Sequence, residues 1–169
     1  KNISLKFPKF SREKSTKISK TLGELVKISN PLDYHTFIWG NQKKMNELFV
    51  AICEKVNDLI IFVFDVPRND RCDPTSFKCG IEAIIHAKKK TNAKIAVVSS
   101  ISESMTEDLA EVFIKNQIRP LGGLKTGLRA IELSNKSFLF SKKVDFIKVL
   151  LEKRISQKNR LSLIHISEP

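Results

Sequence analysis

A chain of 169 residues, 41% hydrophobic and 28% charged, is long enough to bury the core of one globular domain and is too apolar for an intrinsically disordered chain. No apolar run approaches the roughly 18 residues that a membrane span needs, and Lys1 is followed by no charged-then-apolar leader, so no signal peptide is read. The formal charge of +12 raises nucleic acid as a partner, yet the 30 basic residues are 23 Lys and 7 Arg scattered along the chain. Phosphate and base recognition favours Arg in a localised patch, so solvated Lys-rich helix faces are the better reading.

In chain order, "NISLKF" (2–7) alternates and is a candidate strand. "SNPLDYHTFIWGN" (29–41) fits neither period: turn residues open it, rings and a histidine crowd its middle, and Gly-Asn closes it. Asn41 is placed to cap a helix over "QKKMNELFVAICEKVN", in which Met45, Leu48, Phe49, Ile52, Cys53 and Val56 recur at three and four. "LIIFVFDV" (59–66) is a nearly continuous apolar run, as expected of a strand buried on both faces of a parallel sheet. Thr75 or Ser76 is expected to cap the helix "FKCGIEAIIHAKKKT", with Phe77, Ile81, Ile84 and Ile85 on one face.

"AKIAVVSS" (93–100) repeats the strand pattern, Thr106 opens a helix over "EDLAEVFIKNQ", and "QIRPLGG" (117–123) predicts an edge strand closed by Gly-Gly. A helix from about residue 124 to 133 follows, and "SFLFSKKVDFIKVLLEKRISQKN" (137–159) predicts a separate closing or linker helix. The last nine residues, "LSLIHISEP", match codon for codon a translated transposase adapter, CTG TCT CTT ATA CAC ATC TCC GAG CCC, and are set aside from fold reasoning. The domain expected is therefore 1–136, followed by a helix over 137–160 and an adapter-derived 161–169. Alternating strands and helices predict βαβ units in a three-layer α/β sandwich with a mostly parallel sheet.

In such a sheet, ligands collect beyond the carboxyl ends of the strands. The segments expected there carry Asn30, Asp33, Tyr34, His35 and Trp39, then Asp65 and Arg68, then Ser99 and Ser100, then Gly122 and Gly123. Asp65 and Arg68 suit an ion pair or a polar ligand. Ser99, Ser100 and the two glycines suit hydroxyl and backbone N–H contacts to an anion at a helix start. The bland alternatives are a loop-organising carboxylate at Asp65, a turn at Gly122 and Gly123, and rings that lock a loop against the sheet. "GGLKTG" lacks the GK[ST] ending of a P-loop. His35 is a candidate base or nucleophile, but no Ser or Cys stands at a recognisable spacing, and His86 lies mid-helix. Three cysteines, Cys53, Cys72 and Cys79, without CxxC spacing argue against a zinc site and for a reduced, cytoplasmic setting.

"NPLDYHTFIWGN", "FDVPRND", "SSISES" and "IRPLGGLKTGLRAIE", in this order, resemble the nucleoside-diphosphate-forming (ADP-forming) acetyl/acyl-CoA synthetases, enzymes similar to succinyl-CoA synthetase; the likeness runs over about 5–133. The resemblance implies a flavodoxin-like (Rossmann-like) domain lying between the CoA-binding and phosphohistidine domains and the ATP-grasp part. Such ligases make acyl-CoA from a carboxylic acid, CoA and ATP through an acyl phosphate and a phosphohistidine, using CoA, ATP/ADP and Mg2+. The pattern's glycine-rich first strand and helix, its CoA loop, its phosphohistidine segment and its ATP-grasp signature do not occur in this sequence, and His35 matches the NPLDYHT motif rather than the phosphorylated histidine. The resemblance thus implies a piece of a ligase that lacks its first strand and helix, binds no cofactor by itself, is inactive alone, and has the other domains of the same enzyme, with the acid and CoA, as partners. The competing readings are a non-catalytic acyl-CoA-sensing module fused to an acyltransferase, and a basic nucleic-acid binder.

Overall fold

The apolar run ending in Ser99 becomes the central strand of a small open sheet. In the computed structural model, residues 3–23, 26–34, 38–68 and 70–165 are described, with side chains to 153. Among them β1 (Leu59–Val63), β2 (Lys94–Val98) and β3 (Arg119–Leu121) form one parallel sheet in the order β1-β2-β3. Ile61 pairs with Ala96, and Val98 pairs with both Val63 and Leu121, which fixes the register. Five helices accompany it: α1 (Arg12–Leu22), α2 (Gln42–Cys53), α3 (Thr75–Thr91), α4 (Glu107–Lys115) and α5 (Leu124–His165). The protein is thus α/β, built on a three-stranded parallel sheet. No helix among the described residues is long and apolar enough to cross a membrane.

Side chains alternate along a strand, so β2 has two faces, and both are buried. Ile95 and Val97 join a core with Phe62 and Phe64 of the β1 segment, Met45, Leu48 and Phe49 of α2, Ala83 and Ile84 of α3, and Phe113 of α4. Ala96 and Val98 face the other way, and the first turns of α5 lie over them: a Cβ added at Gly127 would come within 2.8 Å of Val98 Cγ1. β1 is different. Phe62 is buried, but Leu59 and Val63, on the α5 side of the sheet, are 37% and 45% exposed. The expectation of a strand buried on both faces therefore holds for β2 and fails for β1, which is also an edge strand of the described sheet.

Several boundaries differ from expectation, each for a physical reason. Of the candidate strand 2–7, Asn2 lies outside the described residues and 3–7 forms no strand; Ile3 and Phe7 are exposed, so its alternating apolar side chains bury no common face. α1 is a helix that apolar periodicity does not announce, because it buries only Ile18 and Leu22; the Ser11 hydroxyl, accepting from the Lys14 N–H, starts it. Asn41 and Thr106 cap α2 and α4 as expected. For α3 the capping oxygen belongs to neither Thr75 nor Ser76 but to Asp73, whose Oδ1 accepts from the Thr75 N–H at 2.9 Å and from its hydroxyl. Those two bonds hold the Asp73 carboxyl below its usual pKa.

The helices expected at 124–133 and 137–159 are one continuous α5, with no break at Asn135–Lys136–Ser137 and none at Arg160. Nothing in 133–137 is Gly or Pro, so no residue stops the helix. The chain divides into two compact units, Lys1–Leu128 and Arg129–Pro169.

Candidate functional site

The carboxyl ends of the three strands are tied together by polar side chains and backbone. One residue past β1 the ladder continues once more, the Phe64 N–H donating to the Val98 carbonyl. At Asp65 a side chain takes over from backbone, its Oδ1 accepting from the Ser100 N–H at 2.8 Å. Ser99 is fully buried; its backbone N–H donates to the Leu121 carbonyl and its hydroxyl to the Ile101 carbonyl at 2.6 Å. That hydroxyl oxygen also accepts from the Gly123 N–H at 3.2 Å, and the Leu124 N–H donates to the Ser100 carbonyl. Gly123 has φ +77°, a left-handed turn that a side chain would strain, and it delivers the start of α5 onto the loop after β2.

The aromatic segment reaches this rim from the side. Tyr34 is packed edge-on against Phe49 and Phe62, at ring centroid distances of 5.1 and 6.4 Å, and its hydroxyl donates to the Val63 carbonyl at 3.3 Å. That carbonyl lies on the outer edge of β1, so the phenol pairs one of the strand's outward acceptors at its carboxyl end. Burial pushes the Tyr34 phenol well above its ordinary pKa, and the neighbouring Asp33 and Asp65 carboxylates push in the same direction. Trp39 stacks obliquely on Phe64 at 5.9 Å and meets Phe77 edge-on at 5.1 Å. Tyr34 and Trp39 are therefore pinned to β1, α2 and α3.

Of the residues expected at the ligand end, Asp33, Tyr34, Asp65, Ser99, Ser100, Gly122 and Gly123 do come to one rim, Gly122 lying against Ser102 in the loop after β2. Trp39 stands next to them on Phe64. Asn30 is engaged elsewhere: its Nδ2 donates to the Pro8 carbonyl at 2.8 Å, just before a cis peptide to Pro31. Arg68 does not pair with Asp65. Its guanidinium makes a two-pronged bond with Asp70, at 2.9 and 2.7 Å, because both lie in one exposed turn while Asp65 is occupied by the Ser100 N–H. His35 and Phe37 lie outside the described residues. His86 is half-buried, beside Lys90 and Gln42 in an open groove between α2 and α3.

Two features escaped sequence reasoning. Lys14 of α1 reaches the carboxyl end of α2, its Nζ donating to the Ile52 and Glu54 carbonyls at 2.7 and 2.8 Å; burial lowers its pKa. Glu132 of α5 is only 3% exposed, between Arg129 at 2.6 Å and Lys136 at 2.8 Å. The three-and-four spacing of those charges was visible, but spacing does not report burial. Among the described residues no group of three or more His, Cys, Asp or Glu is placed to hold a metal ion.

Chemically, the rim is an ordered anchorage. Asp65 and Ser99 fix three loops with hydrogen bonds to backbone, and the Ser100 and Asp33 side chains are exposed. Comparison with family models, with curated proteins and with solved structures finds no match to this chain.

Proposed function

We propose that this chain is the part of a flavodoxin-like domain, belonging to an ADP-forming acyl-CoA ligase, that holds ligand-facing loops in place. The observation that carries the reading is the convergence of Asp33, Tyr34, Asp65, Ser99, Ser100, Gly122 and Gly123 at the carboxyl rim of one parallel sheet, where open α/β sheets bind their ligands. These are the residues of the four motifs that resemble the ligases. The uncovered half of the sheet supports the finer fold. α3 and α4 contribute to one core face and the first turn of α5 lies on the other, the distribution of a doubly wound sheet, while β1 keeps an outer edge and an exposed apolar side at Leu59 and Val63. One more strand beside β1, with a helix next to α5, would complete it.

In this reading the chain's residues position rather than react. Asp65 and Ser99 set the height of the three loops, the Tyr34 and Trp39 rings fix their own positions against β1, α2 and α3, and the Asp33 and Ser100 side chains with the Gly122 backbone face the acyl-CoA path. CoA, nucleotide, Mg2+ and the phosphorylated histidine belong to the other domains, so the chain alone is inactive. The self-contained hydrogen bonding of Asp65 and Ser99 favours one second reading, a non-catalytic sensing module attached to an acyltransferase. Sequencing the locus on both sides separates the two. A glycine-rich CoA-binding frame upstream and an ATP-grasp frame downstream support the ligase, an adjoining acyltransferase frame supports the sensor, and neither would dismiss both.

A further inference from the structure

The second unit offers a surface that the proposed domain does not explain. Eight large apolar side chains between residues 138 and 151 of α5 are 46–69% exposed. Six of them, leaving out Phe138 and Val149 on the opposite side of the helix, leave on the order of 600 Å² of apolar side chain open on two adjoining stripes, toward the lower end of one partner's share of a standard protein–protein interface. Exposure on that scale marks an interaction surface.

Its pattern has a period. Phe140, Val144, Ile147 and Leu151 follow one another at intervals of four, three and four residues, with Leu133 one heptad before Phe140. That is the alternating core spacing of a coiled-coil seam. We infer that this seam packs against the same seam of a second copy of the chain, with the two helices antiparallel.

The lysines select the orientation. Lys143 and Lys148 stand at the two positions that flank the seam. In a parallel pair those positions meet across the interface, so Lys143 faces Lys148 of the second copy on both sides, like charge against like. In an antiparallel pair centred with Val144 opposite Ile147 of the second copy, Phe140 meets Leu151. The flanks then bring Lys143 beside Leu150 and Ser141 beside Lys148, and no two lysines oppose each other. The α5 segment carries a net positive charge, which makes this avoidance the deciding element. Leu139, Phe146 and Leu150 form a neighbouring apolar stripe, open to a second such pair in a four-helix arrangement.

The test uses the full chain. Sedimentation or light scattering across a concentration series is expected to give a dimer, or a tetramer of two pairs. The Val144→Asp/Ile147→Asp variant is expected to weaken association about tenfold or more, because the pair buries charge in the seam. Val149→Asp, on the opposite side of the helix by spacing, is expected to leave association unchanged, with helicity by circular dichroism as the fold control for both. Orientation is read in a Cys72→Ser/Cys79→Ser background. Val144→Cys protein mixed with Ile147→Cys protein cross-links, whereas neither cross-links with itself. The inference is overturned by a chain that stays monomeric, including one that instead binds vesicles of anionic phospholipid through these residues. Association unmoved by Val144→Asp/Ile147→Asp, or self-cross-linking of either single variant, also overturns it.

Discussion

Gly80 offers the sharpest test of how the aromatic segment is held. It is buried in α3, and a Cβ built there would lie 2.5 Å from Phe64 Cε2 and 2.7 Å from Cζ. The Phe64 ring cannot simply step aside, since Trp39 and Phe77 lie on it at 5.9 and 6.4 Å. In an unconstrained helix Gly→Ala would stabilise by about 1 kcal/mol. Here the methyl forces a core rearrangement that costs about 1–3 kcal/mol, so Gly80→Ala is expected to be neutral to destabilising by up to ~2 kcal/mol. Phe64→Leu removes the two clashing atoms. In that background the same Gly80→Ala change is expected to stabilise by about 1 kcal/mol, so its sign reverses. Urea unfolding followed by fluorescence of Trp39, the only tryptophan in the chain, reports both the stability and the local packing. A Gly80→Ala protein that gains the full helix-propensity increment with Phe64 in place would refute the packing described here, as would additive effects in the double variant.

Three further outcomes follow from the same structure. Asp65→Ala leaves the Ser100 N–H without its acceptor and is expected to cost about 1–2 kcal/mol, while Asp65→Asn keeps an oxygen there and costs less; hydrogen exchange at the Ser100 amide separates them. Lys14→Met removes the donor that closes the carboxyl end of α2 and is expected to lose about 1–2 kcal/mol, read as a lower urea midpoint with unchanged slope. Burial pushes the Cys53 thiol from 9.0 up to about 12, so above pH 9 the unfolded chain releases this proton before the folded one does. Stability should therefore fall as pH rises between those values, by about 1.4 kcal/mol per pH unit from this group, and Cys53→Ala should show a correspondingly shallower decline.

The strands and the strongly periodic helices were legible because burial and period coincide in them: α2 buries five of the six residues that its pattern singles out, ending at Cys53 with Val56 half-buried beyond it, and β2 is apolar on both sides because it is central. Where they do not coincide, the pattern misled. β1 is as apolar as β2 yet lies at the edge of the described sheet, because a run such as LIIFV cannot say how many neighbours it has. α1 was invisible for the converse reason, since Lys14 and Ser11 rather than an apolar stripe place it. The site was legible as a set of loops at strand ends, a consequence of parallel topology. The partners within it were not: Asp65 chose a backbone N–H over Arg68, and only the short turn from Arg68 to Asp70 explains why.

Whether the rim serves acyl-CoA synthesis is decided by one assay. The protein encoded by the continuous reading frame around this segment should release ADP from ATP beyond one equivalent per protein only when both a short carboxylic acid and CoA are supplied, and should then form the thioester in equal amount. The 169-residue chain should release none. ADP release from the longer protein that is indifferent to acid and CoA, or no release at all across a panel of acids, would contradict the ligase assignment.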